Sequence, residues 1–390
     1  MFDKHNTLAA NKSHPLWGKV ALKDFCKKCT VKNIDRRYNT VFTNSAIHGV
    51  IKQSDYFEKD VANSENTDSY YVVHPEDFIY NPRISENAPY GPIRTNETEE
   101  HGVVSPLYFD FRLVDKKIAN YDYLKYYFAS SSWHRYVYSI GNNGARSDRM
   151  NISDADFMTM PVALPPLEEQ RRIAEILGCC DRVIALKKEL IAEKKKQKKS
   201  LMQKLLNPDS GFRLPGFSGE WQKTKMENIA PLQRGFDLPN SQLRQGKFPV
   251  VYSNGAMAFH NEFMVTAPGV VTGRSGTIGA VFYIEKNFWP HNTSLWVTNF
   301  FNNIPLFVYH LYQFIDIEKC ASGSGVPTLN RNDVHKIEIS IPSEKDEQQA
   351  IADILSAADK EIDLLEQELD QQEQKKKSLM QLLLTGIVRV

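Results

Sequence analysis

The sequence predicts an α+β chain: two mixed α/β domains joined by two long helices that form an intramolecular antiparallel coiled coil with pseudo-two-fold character. Three observations predict it. The hexapeptide KKSLMQ occurs at 198–203 and again at 376–381. Extended backwards, QRRIAEILGCCDRVIAL (170–186) lies over QQAIADILSAADKEIDL (348–364) with no gap and at the same offset. Both repeated segments are free of proline and carry apolar residues every three or four positions. The stretches between them are short strand-like runs broken by Gly, Pro and Asn.

One offset held over nearly forty residues marks an internal duplication. Its period far exceeds the roughly 20–50 residues of a solenoid unit, so it divides the chain into two large halves. The expected boundaries are a first domain at 1–160, a first helical segment at 161–207, a second domain at 208–342 and a second helical segment at 343–390. A chain of 390 residues accommodates two or three folded units. With 42% hydrophobic residues, each can bury a core. No apolar run approaches the ~18 residues of a membrane span. The opening MFDKHNTLAANKSHP has no apolar stretch of the signal-peptide kind, so a cytoplasmic protein is expected.

In the first domain, LWGKVALKDF (16–25) opens a series of short runs that includes SYYVVHP (69–75) and GVVSPLYFDFRL (102–113). The segment YDYLKYYFASSSWHRYV (121–137) reads as one helix. In the second domain EWQKTKMENI (220–229), KFPVVYSNG (247–255) and GVVTGRSGTIGAVFYI (269–284) repeat the strand-like pattern, and NIPLFVYHLYQFI (303–315) reads as the matching helix. Each domain ends in a Gly/Ser loop, GNNGARSDRMN (141–151) and ASGSGVPTLN (321–330).

The helical segments follow LPPLEEQ and IPSEKDEQ, which place acids in the first turn. NPDSG and the TG at 385–386 stop them. The first seam runs Ile173, Leu177, Cys180, Ile184, Lys187, Ile191, Lys194, Lys198, Leu201, Leu205. The second runs Ile351, Leu355, Ala358, Ile362, Leu365, Leu369, Gln372, Lys376, Leu379, Leu383. A period near 3.5 is that of coiled-coil pairing. About 40 residues at 1.5 Å each gives roughly 60 Å, longer than a helix covering only its own domain needs. Charge sets the direction. Residues 168–206 hold 11 Lys+Arg and 6 Asp+Glu, whereas 346–384 hold 4 Lys and 10 Asp+Glu. Antiparallel pairing sets the basic block KKKQKK (194–199) against the acids between Asp353 and Glu373. Parallel pairing would set it against Lys375–Lys377. The same block is also compatible with phosphate binding or nuclear localisation.

No catalytic constellation is legible. GRSGTIG (273–279) is neither G-x-G-x-x-G nor G-x-S-x-G and lacks the G-K-[ST] of a P-loop, so it reads as a tight turn. YNPRI (80–84) lacks the second proline of an adenine-methylation motif. Cys26 and Cys29 form a lone C-x-x-C with no matching second pair, Cys179 and Cys180 being adjacent on a helix, and no metal is expected. The polar loops do carry groups suited to DNA: Arg36, Arg37, Asn39, Arg83, Arg94, Arg146 and Arg149 in the first domain, and Arg234, Arg244, Lys247, Asn254, Arg274 and Ser275 in the second. Arg reads guanine edges, Asn adenine edges, and Lys and Arg neutralise phosphates.

The layout, with LPPLEEQRRIAEIL, IPSEKDEQQAIADIL, the KKSLMQ helix ends, DLPNSQLRQGKFPVVYSNG (237–255), GRSGTIGAV and WPHNTSLWV (289–297), resembles the specificity (S) subunit of type I restriction-modification systems. The resemblance covers essentially the whole chain and implies a bacterial or archaeal, non-catalytic DNA-recognition subunit. Each domain would be a target-recognition domain reading one half of a bipartite, asymmetric site. The helices would set the half-site spacing and dock two modification subunits. Those subunits would bring S-adenosylmethionine and methylate adenine, and translocase–nuclease restriction subunits, using ATP and Mg, would join them. No cofactor is expected in this chain itself. Gln170, Ser200 and Gln203, with Gln348, Ser378 and Gln381, recur at the constant offset. They are the expected docking groups, one surface presented twice. The competing reading is a structural coiled-coil adaptor without sequence-specific DNA binding.

Overall fold

The structure, a computed structural model, describes residues 17–56, 67–143, 148–322 and 327–390. The chain forms two compact units. One comprises Met1–Leu186 with Asp370–Val390, the other Lys187–Leu369. Each takes a domain together with part of both long helices. Among the described residues no helix is long and apolar enough to cross a membrane.

In the first unit, strand Gly18–Ala21 pairs antiparallel with Pro161–Leu164, the strand that leads into the first long helix. The central sheet orders Cys26–Lys28, Phe109–Leu113, Phe78–Tyr80 and Ile93–Thr95, all antiparallel. Its Phe78 and Phe111 stack at 5.2 Å and meet Phe128 and Phe157, so aromatic rings dominate this core. The helix expected over 121–137 is instead two, Tyr121–Ala129 and His134–Ile140. Three consecutive serines cause the break. Ser130 Oγ donates to the Tyr127 carbonyl and accepts from Ser132 N, drawing the backbone away from the helical ladder.

The second unit repeats the plan. Strand Trp221–Lys225 pairs antiparallel with Glu338–Pro342, which leads into the second long helix. A four-stranded sheet orders Leu232–Arg234, Ser294–Val297, Gly269–Gly273 and Val281–Ile284. The expected helix is Pro305–Phe314, with Phe307, Val308 and Leu311 in the core.

The long helices are Leu167–Leu205 and Lys345–Leu384. All twenty seam positions are buried or half-buried, as the 3.5 period requires. Their pairing is antiparallel in each unit. In the first, Asp181 meets Lys376. In the second, Lys187 meets Glu368 at 2.6 Å, Lys195 meets Glu366 at 2.7 Å, Lys194 meets Glu361 at 2.6 Å, and Lys198 meets Asp359. The basic block therefore faces acids, as its charge pattern predicts.

Two further contacts recur. Gly211 and Gly386, after the two helices, both take the left-handed conformation open to glycine. Just beyond each, an arginine turns back onto a buried first-turn glutamate of the other long helix. In the first unit Arg389 holds Glu169 through two bonds of 2.5 and 2.6 Å, and in the second Arg213 holds Glu347 at 3.0 and 2.7 Å. The Arg389 guanidinium depresses the Glu169 pKa.

Candidate nucleic-acid interface

The first unit gathers Arg83 and Arg149 in one cleft of mixed polar and apolar lining. The two residues form an antiparallel bridge, and both line a cavity of about 460 Å³ with Thr43, Asn44, Asn81 and Tyr108. The cleft wall is held in place from below. Buried Asn44 donates to the carbonyls of Ile79 (2.6 Å) and Pro92 (3.0 Å), and Asn81 donates to the Asn44 carbonyl and caps Arg83 N through its own Oδ1. Arg36, Arg37 and Asn39 lie apart from this cleft on one exposed loop. Buried Asn33 shapes it: its Oδ1 accepts from Tyr38 N at 3.1 Å and its Nδ2 donates to Tyr38 O at 2.9 Å. Arg36 stands 3.9 Å from Asp68 of a separate turn, and Arg37 lies over the Tyr38 ring.

Arg94 departs from its expected place. It is half-buried in the middle of strand Ile93–Thr95 and donates to the carbonyls of Ile93 (2.9 Å) and Ala46 (3.4 Å). Burial lowers its pKa. It braces the Phe42–Lys52 hairpin rather than standing free for a phosphate or a base. Arg146 falls outside the described residues.

In the second unit the organising residue is Thr293. Its carbonyl accepts from Arg274 N (2.9 Å) and Ser275 N (3.2 Å), and its hydroxyl accepts from Ser253 N (3.3 Å), next to exposed Asn254. The neighbouring Asn292 carbonyl receives Arg274 Nη1, while its side chain reaches Asp237, which also pairs with Arg234 at 3.1 Å. Arg234, Asn254, Arg274 and Ser275, scattered in sequence, are thus joined through the 291–293 turn. GRSGTIG is the tight turn joining Gly269–Gly273 to Val281–Ile284. A Cβ on Gly273 would lie 1.7 Å from the Thr277 carbonyl, so only glycine closes it. The His291 ring packs tilted against Tyr252 at 4.3 Å, and burial lowers its pKa, which favours the neutral imidazole. Arg244 and Lys247 sit on a separate exposed loop. Arg244 N donates to His260 Nδ1, and the Lys247 ammonium lies over Phe248.

Asn33, Asn44, Asn81, Asn292 and Thr293 were not singled out by sequence. The last two lie inside WPHNTSLWV, whose resemblance to a family motif was the available signal. Asn81 lies inside YNPRI, which carries the same resemblance, whereas Asn33 in a loop and Asn44 on strand Phe42–Ser45 look in sequence like any solvated asparagine.

The expected docking groups divide. Ser200, Gln203, Ser378 and Gln381 are exposed on the long helices. Gln170 and Gln348 are not surface groups: both are buried, and their amides are fully engaged. Gln170 Oε1 accepts from Asn120 N at 2.7 Å, and its Nε2 donates to the carbonyls of Ile118 and Pro165. Gln348 Oε1 accepts from Ile304 N at 3.0 Å, and its Nε2 donates to Pro342 O and Asn303 Oδ1. They recur because each clamps a long helix to the start of its own domain's core helix.

Two domains of one plan, each followed by one of two paired long helices, define a protein built by duplication. The chain matches the family described as Type I restriction modification DNA specificity domain twice, over residues 16–195 and 218–374, and belongs to that family. It is similar to a putative type I restriction enzyme MjaX specificity subunit of Methanocaldococcus jannaschii, 28% identical over 282 residues, covering 62% of this chain and 63% of the relative. It is also similar to the MjaVIII specificity subunit of the same organism, 23% identical over 60% of this chain and 63% of the relative. The matches thus span just under two thirds of these relatives' length. Among solved structures, the type I restriction-modification S subunit from M. genitalium shares the fold, with a TM-score of 0.60 at 16% identity over 96% of this chain and 98% of that one.

Proposed function

We propose that this chain is the DNA sequence-specificity subunit of a type I restriction-modification complex and has no catalytic activity of its own. Each domain reads one half of a bipartite, asymmetric target, and the paired long helices set the gap between the halves. The exposed Ser200, Gln203, Ser378 and Gln381 belong to the surface that docks two adenine-methyltransferase subunits, which bind S-adenosylmethionine. Restriction subunits using ATP and Mg complete the assembly in the bacterial or archaeal cytoplasm. The observation that carries the reading is the double match to the family over two units of one plan, each with arginine and asparagine gathered on loops.

The candidate readers are Arg83 and Arg149 in the first unit and Arg234, Asn254, Arg274 and Ser275 in the second. Arg36, Arg37, Asn39, Arg244 and Lys247 supply phosphate contacts. The test is the adenine-methylation pattern of host DNA with the gene intact and deleted. A bipartite motif with a fixed unspecified gap, lost on deletion, is the expected result, and an unchanged pattern overturns the reading. A salt-dependent gel shift with the methyltransferase subunit separates it from a structural adaptor, because phosphate contacts weaken as salt rises.

A further inference from the structure

We propose that the first unit holds a divalent-cation site of the zinc class, formed by the Cys29 thiolate and the Asp77 and Asp110 carboxylates. Ligand atoms of these three residues all lie within 4.8 Å of one another. Cys29 follows strand Cys26–Lys28, Asp110 lies on the paired strand Phe109–Leu113, and Asp77 immediately precedes Phe78–Tyr80 on the next strand of the sheet. The sheet therefore fixes all three. Cys29 N also donates to the Asp110 carbonyl at 2.8 Å.

Asp110 is the residue that demands an explanation. It is fully buried, and among the described residues no side chain donates to either carboxylate oxygen; only the amide of its neighbour Phe111 comes near enough to favour the charged form. An unpaired carboxylate in that position is costly unless a cation or a proton neutralises it. Among the described residues Arg112 and Lys27 are the cations that act on the cluster, and Arg112 is already committed. Arg112 binds Asp77 through Nε (2.5 Å) and Nη2 (2.7 Å), and His74 N donates to Asp77 Oδ2 at 2.7 Å. With the thiolate and both carboxylates ionised, the group stays net negative even with Arg112 and Lys27 beside it, which favours a bound cation.

The donor set selects the metal. Thiolate disfavours Mg²⁺ and Ca²⁺, whereas Zn²⁺ accepts sulfur at ~2.3 Å and carboxylate oxygen at ~2.0–2.2 Å, with tetrahedral geometry. Such a site places its ligand atoms ~3.3–3.8 Å apart, so the present spacing needs only a small contraction. Cys29 is half-buried, which leaves water a route to the fourth position. The rival occupant is a pair of protons: burial raises the Cys29 thiol to about 12 and lifts Asp110 well above the usual carboxylate range. The lone C-x-x-C concealed the site because Cys26 is not part of it and the other two ligands come from distant strands.

The test uses the full-length chain with Cys179 and Cys180 replaced by Ser, which removes the adjacent thiols on the first long helix. After chelation and dialysis, zinc is titrated against a chromophoric chelator. Cobalt is titrated separately for its thiolate charge-transfer absorbance. One zinc per chain is expected, with at least a tenfold affinity loss in Cys29→Ser and in Asp110→Asn. The cobalt–thiolate band should vanish in Cys29→Ser, and added zinc should raise the melting temperature of the parent but not of either variant. Asp110→Asn keeps the side-chain shape without the charge, and Cys29→Ser gives a second reading should it misfold. Failure of the parent to bind zinc, or equal binding by both variants, overturns the proposal in favour of the protonated pair.

Discussion

At the scale of single residues, the repeated glutamines show how a recurring polar group can mislead. Gln170 and Gln348 recur because each satisfies a backbone N–H and two acceptor groups in the interior. Gln170→Ala and Gln348→Ala should each cost about 1–3 kcal/mol, mainly by stranding the Asn120 and Ile304 amides. Urea denaturation measures this, and a surface docking role would leave stability unchanged. His310 supplies a pH test. It is buried, with Nε2 2.9 Å from Ser356 Oγ, Nδ1 3.8 Å from Asp359, and Lys198 paired to the same Asp359. Burial is the leading cause that lowers its pKa to about 4. An unfolded histidine titrates near 6.5, so below that pH the unfolded chain takes up a proton that the folded one excludes. This contribution to stability is intact above ~pH 6.5 and is lost as pH falls towards about 4. His310→Gln should therefore lose about 2 kcal/mol less than the parent between pH 7 and 5, compared by denaturant unfolding.

At the scale of elements, the paired helices separate packing from charge. Ile191 is buried in the seam beside the basic block, whereas Lys194 and Glu361 form a 2.6 Å pair open to water on one side. Ile191→Ala should cost ~2–4 kcal/mol. A double-mutant cycle on Lys194 and Glu361 should give a coupling below ~1 kcal/mol that shrinks in high salt. A coupling above that, or an Ile191 loss smaller than it, would mean that charge rather than burial holds the helices. The seams, the helix ends and the opposed charges were legible because an amphipathic helix writes its partner face into its own sequence every three or four residues. The Arg213–Glu347 and Arg389–Glu169 locks were not. Each joins residues far apart in the chain, and a first-turn glutamate has an equally good reading as a dipole-stabilising surface acid.

At the scale of the whole molecule, the proposed spacer role makes one geometric prediction. An equal heptad insertion in both long helices, placed between the Asp181–Lys376 and Lys187–Glu368 contacts, should lengthen the unspecified gap of the methylated motif and leave both half-sites unaltered. An unchanged gap would remove the spacer role while leaving half-site reading intact. The duplication, the two helices and their antiparallel sense were already present in the linear order of residues, since periodicity and net charge are local or summed properties. The gathering of Arg83 with Arg149, and of Arg234, Asn254, Arg274 and Ser275 about Thr293, was not. Neither were the withdrawal of Arg94, Gln170 and Gln348 into structural work and the convergence of Cys29, Asp77 and Asp110. Those outcomes depend on which strands become neighbours and on which side chains lose their water, and both are set by long-range pairing.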